Sequence, residues 1–114
     1  MFRNKIIIKR AFCEAPETCT EIIQRSIGNP SRVYKSKVAE EVLEAERKGA
    51  KLEELLPMIR GDRSRPAVLN GDVENALMAC GQVAGIMDDI PTIKEAVDSI
   101  ISEAKEVYEK IKYA

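Results

Sequence analysis

The clearest pattern in the chain lies near its end, where Ile93, Val97, Ile100, Ile101, Ala104, Val107, Tyr108 and Ile111 recur three or four positions apart. Apolar residues at that spacing share one side of an α-helix, and the Lys, Glu, Asp and Ser residues between them make the other side polar. Thr92 followed by Glu95 is a capping-box pattern and starts the helix. A stripe of this kind is expected to pack on its own domain.

A second helix is predicted from Ser31 to Lys48. Tyr34, Val38, Val42 and Ala45 form its apolar face, Gly49 stops it, and Gly28-Asn29-Pro30 supplies its start. Glu40, Glu41, Glu44 and Glu46 alternate there with Lys35, Lys37, Arg47 and Lys48, which reads as a solvated face. A short helix from Lys51 to Leu56 is expected to end or kink at Pro57. Arg60 to Pro66 reads as a loop, with Arg-Gly-Asp as a simple turn. Val68 to Met87 is dotted with Gly71, Gly81 and Gly85, where helices begin, bend or approach another backbone closely.

The first 28 residues read differently. Ile6 to Lys9 and Thr20 to Gln24 are β-type candidates, Phe12 to Glu17 with Pro16 is a loop, and Phe2 to Arg10 reads equally well as a short helix. The expected fold is therefore mainly α with one or two short N-terminal strands. An irregular, strand-containing segment covers 1–28 and a helical region covers 29–114, together one domain or a domain fragment.

Composition narrows what such a fold can do. The 114 residues include 18 Lys+Arg, 19 Asp+Glu and no histidine, for a net charge of −1. That length suits one domain and is too short for a complete (β/α)₈ barrel, which takes at least ~200 residues. Without imidazole there is no Ser-His or Cys-His pair and no histidine general base. The charge balance gives no field that would recruit nucleic acid or anionic lipid, and Phe2, Phe12, Tyr34, Tyr108 and Tyr113 are too scattered for a base-stacking platform. The longest apolar run, Ile6 to Ile8, is far below a membrane span, and the basic Met1 to Arg10 stretch lacks a signal-peptide core, so a cytoplasmic location is expected. Cys13, Cys19 and Cys80 have no CxxC spacing and read as free thiols.

Neither Asp88-Asp89 nor Glu40-Glu41 makes a catalytic carboxylate pair, because adjacent residues on a helix point apart. Asp72 and Glu74 lack the further oxygen ligands a hard cation needs, so no metal is assigned. No phosphate-binding glycine fingerprint occurs. Arg25, Arg32, Lys35 and Lys37 flank the expected helix start at Asn29-Pro30, where the free N–H groups offer room for an anion.

Two stretches go beyond composition. Arg25-Ser-Ile-Gly-Asn-Pro-Ser-Arg-Val33 before a Lys/Glu-rich helix, and Gly71-Asp-Val-Glu followed by Met78-Ala-Cys-Gly-Gln-Val-Ala-Gly85 and Ile90-Pro91, resemble the C-terminal signature of the flavin-dependent nitronate monooxygenases (2-nitropropane dioxygenases). The related enoyl-acyl carrier protein reductases II share it. Gln24 stands where that family often has Gly, and Cys80 where it often has Ala or Ser.

The resemblance implies the C-terminal third of a TIM-barrel flavoprotein, comprising the last barrel part and a small helical domain. It implies FMN as cofactor and Met78, Gly81 and Gln82 as lining of the flavin or substrate cavity. The family's catalytic histidine and FMN phosphate site lie upstream of the matched segment, so no catalytic residue is assigned and FMN binding is not expected of this chain alone. The expected function is a portion of such an oxidoreductase that covers FMN held by a barrel chain. The alternative is a non-catalytic helical module for interaction or self-association.

Overall fold

Val33 and Ile23 set the architecture, because both are buried and their strands face each other in one antiparallel hairpin. The computed structural model describes residues 2–112; Met1, Tyr113 and Ala114 lie outside the described residues. Strand β1 (Thr20–Ile23) pairs with β2 (Ser31–Tyr34) in the register Thr20 to Tyr34 and Ile23 to Ser31. Residue Ala79 makes an isolated antiparallel bridge to Val33 on the other side of β2. The Tyr34 N–H donates to Met78 O at 2.9 Å and the Cys80 N–H to Arg32 O at 3.2 Å, so residues 78–80 run beside β2 as a minimal third strand.

The expected helix from Ser31 is corrected by this pairing. Val33 buries only if Ser31 to Tyr34 is extended, and Gly28, at φ 71°, supplies the left-handed turn that returns the chain. Helix α2 (Lys37–Arg47) starts six residues later than expected, where the Ser36 hydroxyl accepts the Ala39 N–H. Its inner face is Val38, Ala39 and Val42, all buried. Tyr34, counted as part of that face, belongs to the strand instead.

Helices α3 (Leu52–Ile59) and α4 (Gly61–Asn70) follow. Both run through a proline: Pro57, expected to end or kink its helix, and Pro66, expected in a loop. Pro57 and Pro66 each remove one intrahelical hydrogen bond, yet Leu55 and Ala67 are buried and hold the helices in place. The loop expected over Arg60 to Pro66 is therefore helix. Two side chains anchor it: Ser64 Oγ donates to Leu77 O and accepts from Leu77 N, both at 3.0 Å, and Arg63 pairs with Glu41 at 3.1 Å. Gly71, at φ 74°, closes α4 in the left-handed conformation.

The β-type candidate at Ile6 to Lys9 is also corrected. Helix α1 (Phe2–Cys13) packs on α4 and places Ile8 and Phe12, four residues apart, against Ala67, Ala76 and Met78. A strand there would have no partner among the described residues. The hairpin joins residues on both sides of the boundary drawn at 28, and the N-terminal segment contributes a full helix. A second apolar cluster brings Ile23, Val33, Ala39, Val42 and Leu55 together. No helix among the described residues is long and apolar enough to cross a membrane.

After a 3₁₀ turn at Gln82–Ile86, helix α5 (Ile93–Lys112) begins where the Glu95 carboxylate accepts the Thr92 N–H and hydroxyl, each at 2.7 Å. The cap and the stripe are as expected, but the packing is not: no residue of α5 is buried. The helix extends away from the rest, and the radius of gyration is 17.5 Å against roughly 13 Å for a compact domain of this length.

Candidate functional site

The minimal strand at 78–80 delivers the chain into the Gly81 to Gly85 turn at a fixed height above α1. Gly85 sits where an added Cβ would lie 2.5 Å from Glu17 Cα and 3.1 Å from Pro16 O, so only glycine lets this turn lie against the backbone after α1. The Cys13 thiol donates to Asp89 O at 3.2 Å and ties the segment after the turn to the same helix end.

Between turn and helix lies a cleft of about 370 Å³, whose walls include Phe12 and Cys13 from α1, Cys80 and Gly81 from the strand end, and Val83 and Met87 beyond. Lys9 and Asp89 stand at its edge. The wall is mostly apolar, so the cleft suits an apolar group with one cation nearby. Burial pushes the Cys80 thiol above its ordinary pKa, and the neighbouring Cys19 adds to that rise. Cys80 is therefore a neutral thiol at pH 7 and a poor nucleophile. The Phe12 and Tyr34 rings meet edge to face, centroids 5.2 Å apart, and stiffen the floor behind the cleft.

The three residues assigned by resemblance have different surroundings. Gly81 lines the cleft. Met78 is 7% exposed and turns into the cluster with Ile8, Ala67 and Ala76. Gln82 is exposed and is not part of the cleft wall. Phe12 and Cys13 were missed because their segment was read as a loop. The spacing of Lys9, Phe12 and Cys13, at i, i+3 and i+4, was the signal that could have placed them on one helix face.

The helix start expected at Asn29-Pro30 does not form, and the room for an anion at its free N–H groups goes with it. Those residues lie in the hairpin turn, and at the true start of α2 the Glu74 carboxylate accepts the Lys37 N–H at 3.0 Å while Ser36 takes that of Ala39. Arg32 donates across the hairpin to Thr20 Oγ1 at 2.9 Å. Asp88 and Asp89 are exposed, and Glu41 is committed to Arg63. All three cysteines are free thiols, Cys19 buried and Cys13 and Cys80 half-buried.

No family model matches the sequence. Among curated proteins, (3aS,4S,5R,7aS)-5-hydroxy-7a-methyl-1-oxo-octahydro-1H-indene-4-carboxyl-CoA dehydrogenase of Mycobacterium tuberculosis is 42% identical over 40 residues, 35% of this chain and 11% of that protein. The Rhodococcus jostii protein of the same name is 35% identical over 40 residues, again 35% of this chain and 11% of that protein. Among solved structures, the M276A mutant of FabK from Thermotoga maritima matches with a TM-score of 0.67 and 27% identity, covering 93% of this chain and 30% of that one. FabK from Thermotoga maritima itself superposes with a TM-score of 0.77 and 30% identity; the match takes in 94% of this chain and spans 33% of the FabK chain.

Proposed function

We propose that this chain serves as the helical portion of an enoyl-acyl carrier protein reductase II-like flavoprotein, forming one wall of a substrate cavity whose flavin is held by a barrel. The observation that carries this reading is the superposition on FabK over nearly the whole chain at 30% identity. FabK is an enoyl-acyl carrier protein reductase II, one of the two enzyme groups whose Gly-Gln-Val-Ala-Gly turn this sequence resembles. The likeness to FabK favours enoyl thioester reduction over nitronate oxidation for the assembled site.

The residues present do not fit a whole FMN. The cleft wall is apolar, and Gly85, the second glycine of the turn, lies against Glu17 Cα instead of opening its backbone to a phosphate. No chemical step is therefore assigned to this chain. Its own contribution is to hold the Gly81 turn rigidly over α1 and to present an apolar surface that excludes water from a neighbouring reaction centre.

A chimera tests the proposal: the matched third of Thermotoga maritima FabK is replaced by this chain. Flavin absorbance is then measured, together with nicotinamide-dependent reduction of an enoyl thioester and oxygen-dependent oxidation of an alkyl nitronate. Retained flavin with enoyl reduction is the expected result. Loss of both activities in a folded, flavin-containing chimera, or stoichiometric FMN on this chain alone, overturns it.

A further inference from the structure

We propose that α5 is a dimerisation helix that pairs antiparallel with α5 of a second copy of this chain. The proposal does not depend on the flavin reading.

Ile93, Val97, Ile100, Ala104, Val107 and Ile111 are spaced four, three, four, three and four residues apart, a seven-residue repeat held along almost the whole helix. A strict repeat of that length keeps one seam facing a second helix as the two wrap around each other. Among the described residues nothing covers the seam, since Ile93 is 86% exposed and Ile100 and Ile111 are each 68% exposed. The projection of α5 leaves that seam open along its length.

The flanking residues choose the orientation. Ile101 and Tyr108 lie on one shoulder of the seam, where the heptad places neighbours of the core positions. In an antiparallel pair equal shoulders meet, so Ile101 packs on the partner's Ile101 and Tyr108 covers the stem of the partner's Lys94. The core layers then pair Ile93 with the partner's Ile111, Val97 with the partner's Val107, and Ile100 with the partner's Ala104. A parallel pair would set Tyr108 beside the partner's Glu103 and desolvate a carboxylate against an apolar ring.

The helix dipoles favour the same arrangement, since an antiparallel pair sets each N-terminal end beside the partner's C-terminal end, where Lys110 and Lys112 lie. Counting the shoulder, eight side chains per copy at roughly 60–80 Å² apiece, Ala104 giving less and Ile93 more, would remove about 950–1,300 Å² from water. That reaches the lower end of the roughly 1,200–2,000 Å² of a stable interface.

Sedimentation equilibrium on the full chain up to about 100 µM tests the pairing, with helicity followed by circular dichroism. Wild type is expected to be dimeric. Ile100→Lys, at a position already open to solvent in one chain, should raise the dissociation constant about a hundredfold with helicity of the monomer unchanged, whereas Ser102→Lys on the far side should leave it unaltered. Antiparallel pairing sets Glu103 against the partner's Glu103, so the neutral variant Glu103→Gln should tighten the dimer about two- to fivefold. A monomer at every concentration overturns the proposal. So does equal insensitivity to Ile100→Lys and Ser102→Lys, association only with a FabK-type barrel, or a Glu103→Gln constant equal to wild type.

Discussion

Gln24 occupies a backbone conformation that glycine adopts freely and other residues reach at a cost of about 1–2 kcal/mol: its φ is 64°. Three hydrogen bonds hold it there. The Glu46 carboxylate accepts its N–H at 2.8 Å, its carbonyl accepts the Asn29 N–H at 3.1 Å, and its side-chain oxygen accepts from Asn29 Nδ2 at 3.0 Å. The glycine common at this position in the resembling family has a physical explanation in that angle. Gln24→Gly exchanges strain relief for a lost side-chain bond and should change unfolding stability by less than about 1 kcal/mol, while Gln24→Val should cost more than about 2 kcal/mol. Denaturant titration of the two variants measures both. The same assay separates the two glycines of the cleft turn. Gly85→Ala should cost about 1–3 kcal/mol because its Cβ meets backbone, and Gly81→Ala should be tolerated because its nearest neighbour is Val83 Cγ1 at 3.7 Å.

Glu46 also makes stability depend on pH. Burial pushes its carboxyl up, but the bonds from Ser26 and Gln24 outweigh that and hold it below the ordinary carboxylate value. A folded-state value below the unfolded one means that its stabilisation is complete above the unfolded value and is lost as pH falls through the folded one. Glu21 has the opposite sign: burial, only partly countered by Lys35, raises its carboxyl, so ionising it disfavours the fold as pH rises. Glu46→Gln should therefore flatten the fall in unfolding midpoint between about pH 5 and about pH 3.

At the scale of elements, what could be read from sequence depended on how locally each was determined. Helix α5 was legible because its cap, Thr92 with Glu95, and its apolar repeat lie within the helix itself. Strand β2 was not, because Ser31 to Tyr34 becomes a strand through Thr20 to Ile23 and Ala79, and nothing in its own four residues announces those partners. Helix α4 was hidden by Gly61 and Pro66, which argue for a loop until Ser64 and Arg63 find Leu77 and Glu41. The motif Met78 to Gly85 located the candidate site, yet its opposite wall, Phe12 and Cys13, came from a helix whose three adjacent isoleucines fit a strand as well. Ser64→Ala removes both bonds to Leu77 and leaves a half-buried N–H and carbonyl without those partners. It should lower unfolding stability by about 1–3 kcal/mol, a loss that Ser64→Thr should largely avoid.

Across the whole molecule, the exposed apolar face of α5 and the apolar cleft over α1 lie at opposite ends of one requirement: both are surfaces that gain from being covered. The chain matches a third of FabK and is extended, 55 Å in its longest dimension.

The Val33 to Ala79 bridge has a consequence for the order of events in folding. It closes a loop that contains all of α2, α3 and α4, whereas the β1–β2 hairpin closes only its own turn and α5 closes nothing. Loop-closure entropy grows with the length enclosed, so the bridge forms after the hairpin and after the helices within the loop. The amides that depend on it, Tyr34 to Met78 O and Cys80 to Arg32 O, should then exchange with deuterium through a smaller opening than the Ile23 and Val42 amides of the core. Equal protection at all four would contradict this. The cleft rests on that bridge and on the docking of α1, whose Cys13 to Asp89 bond closes a longer loop still, so it is a late feature of the fold and its shape is responsive to anything that binds across it.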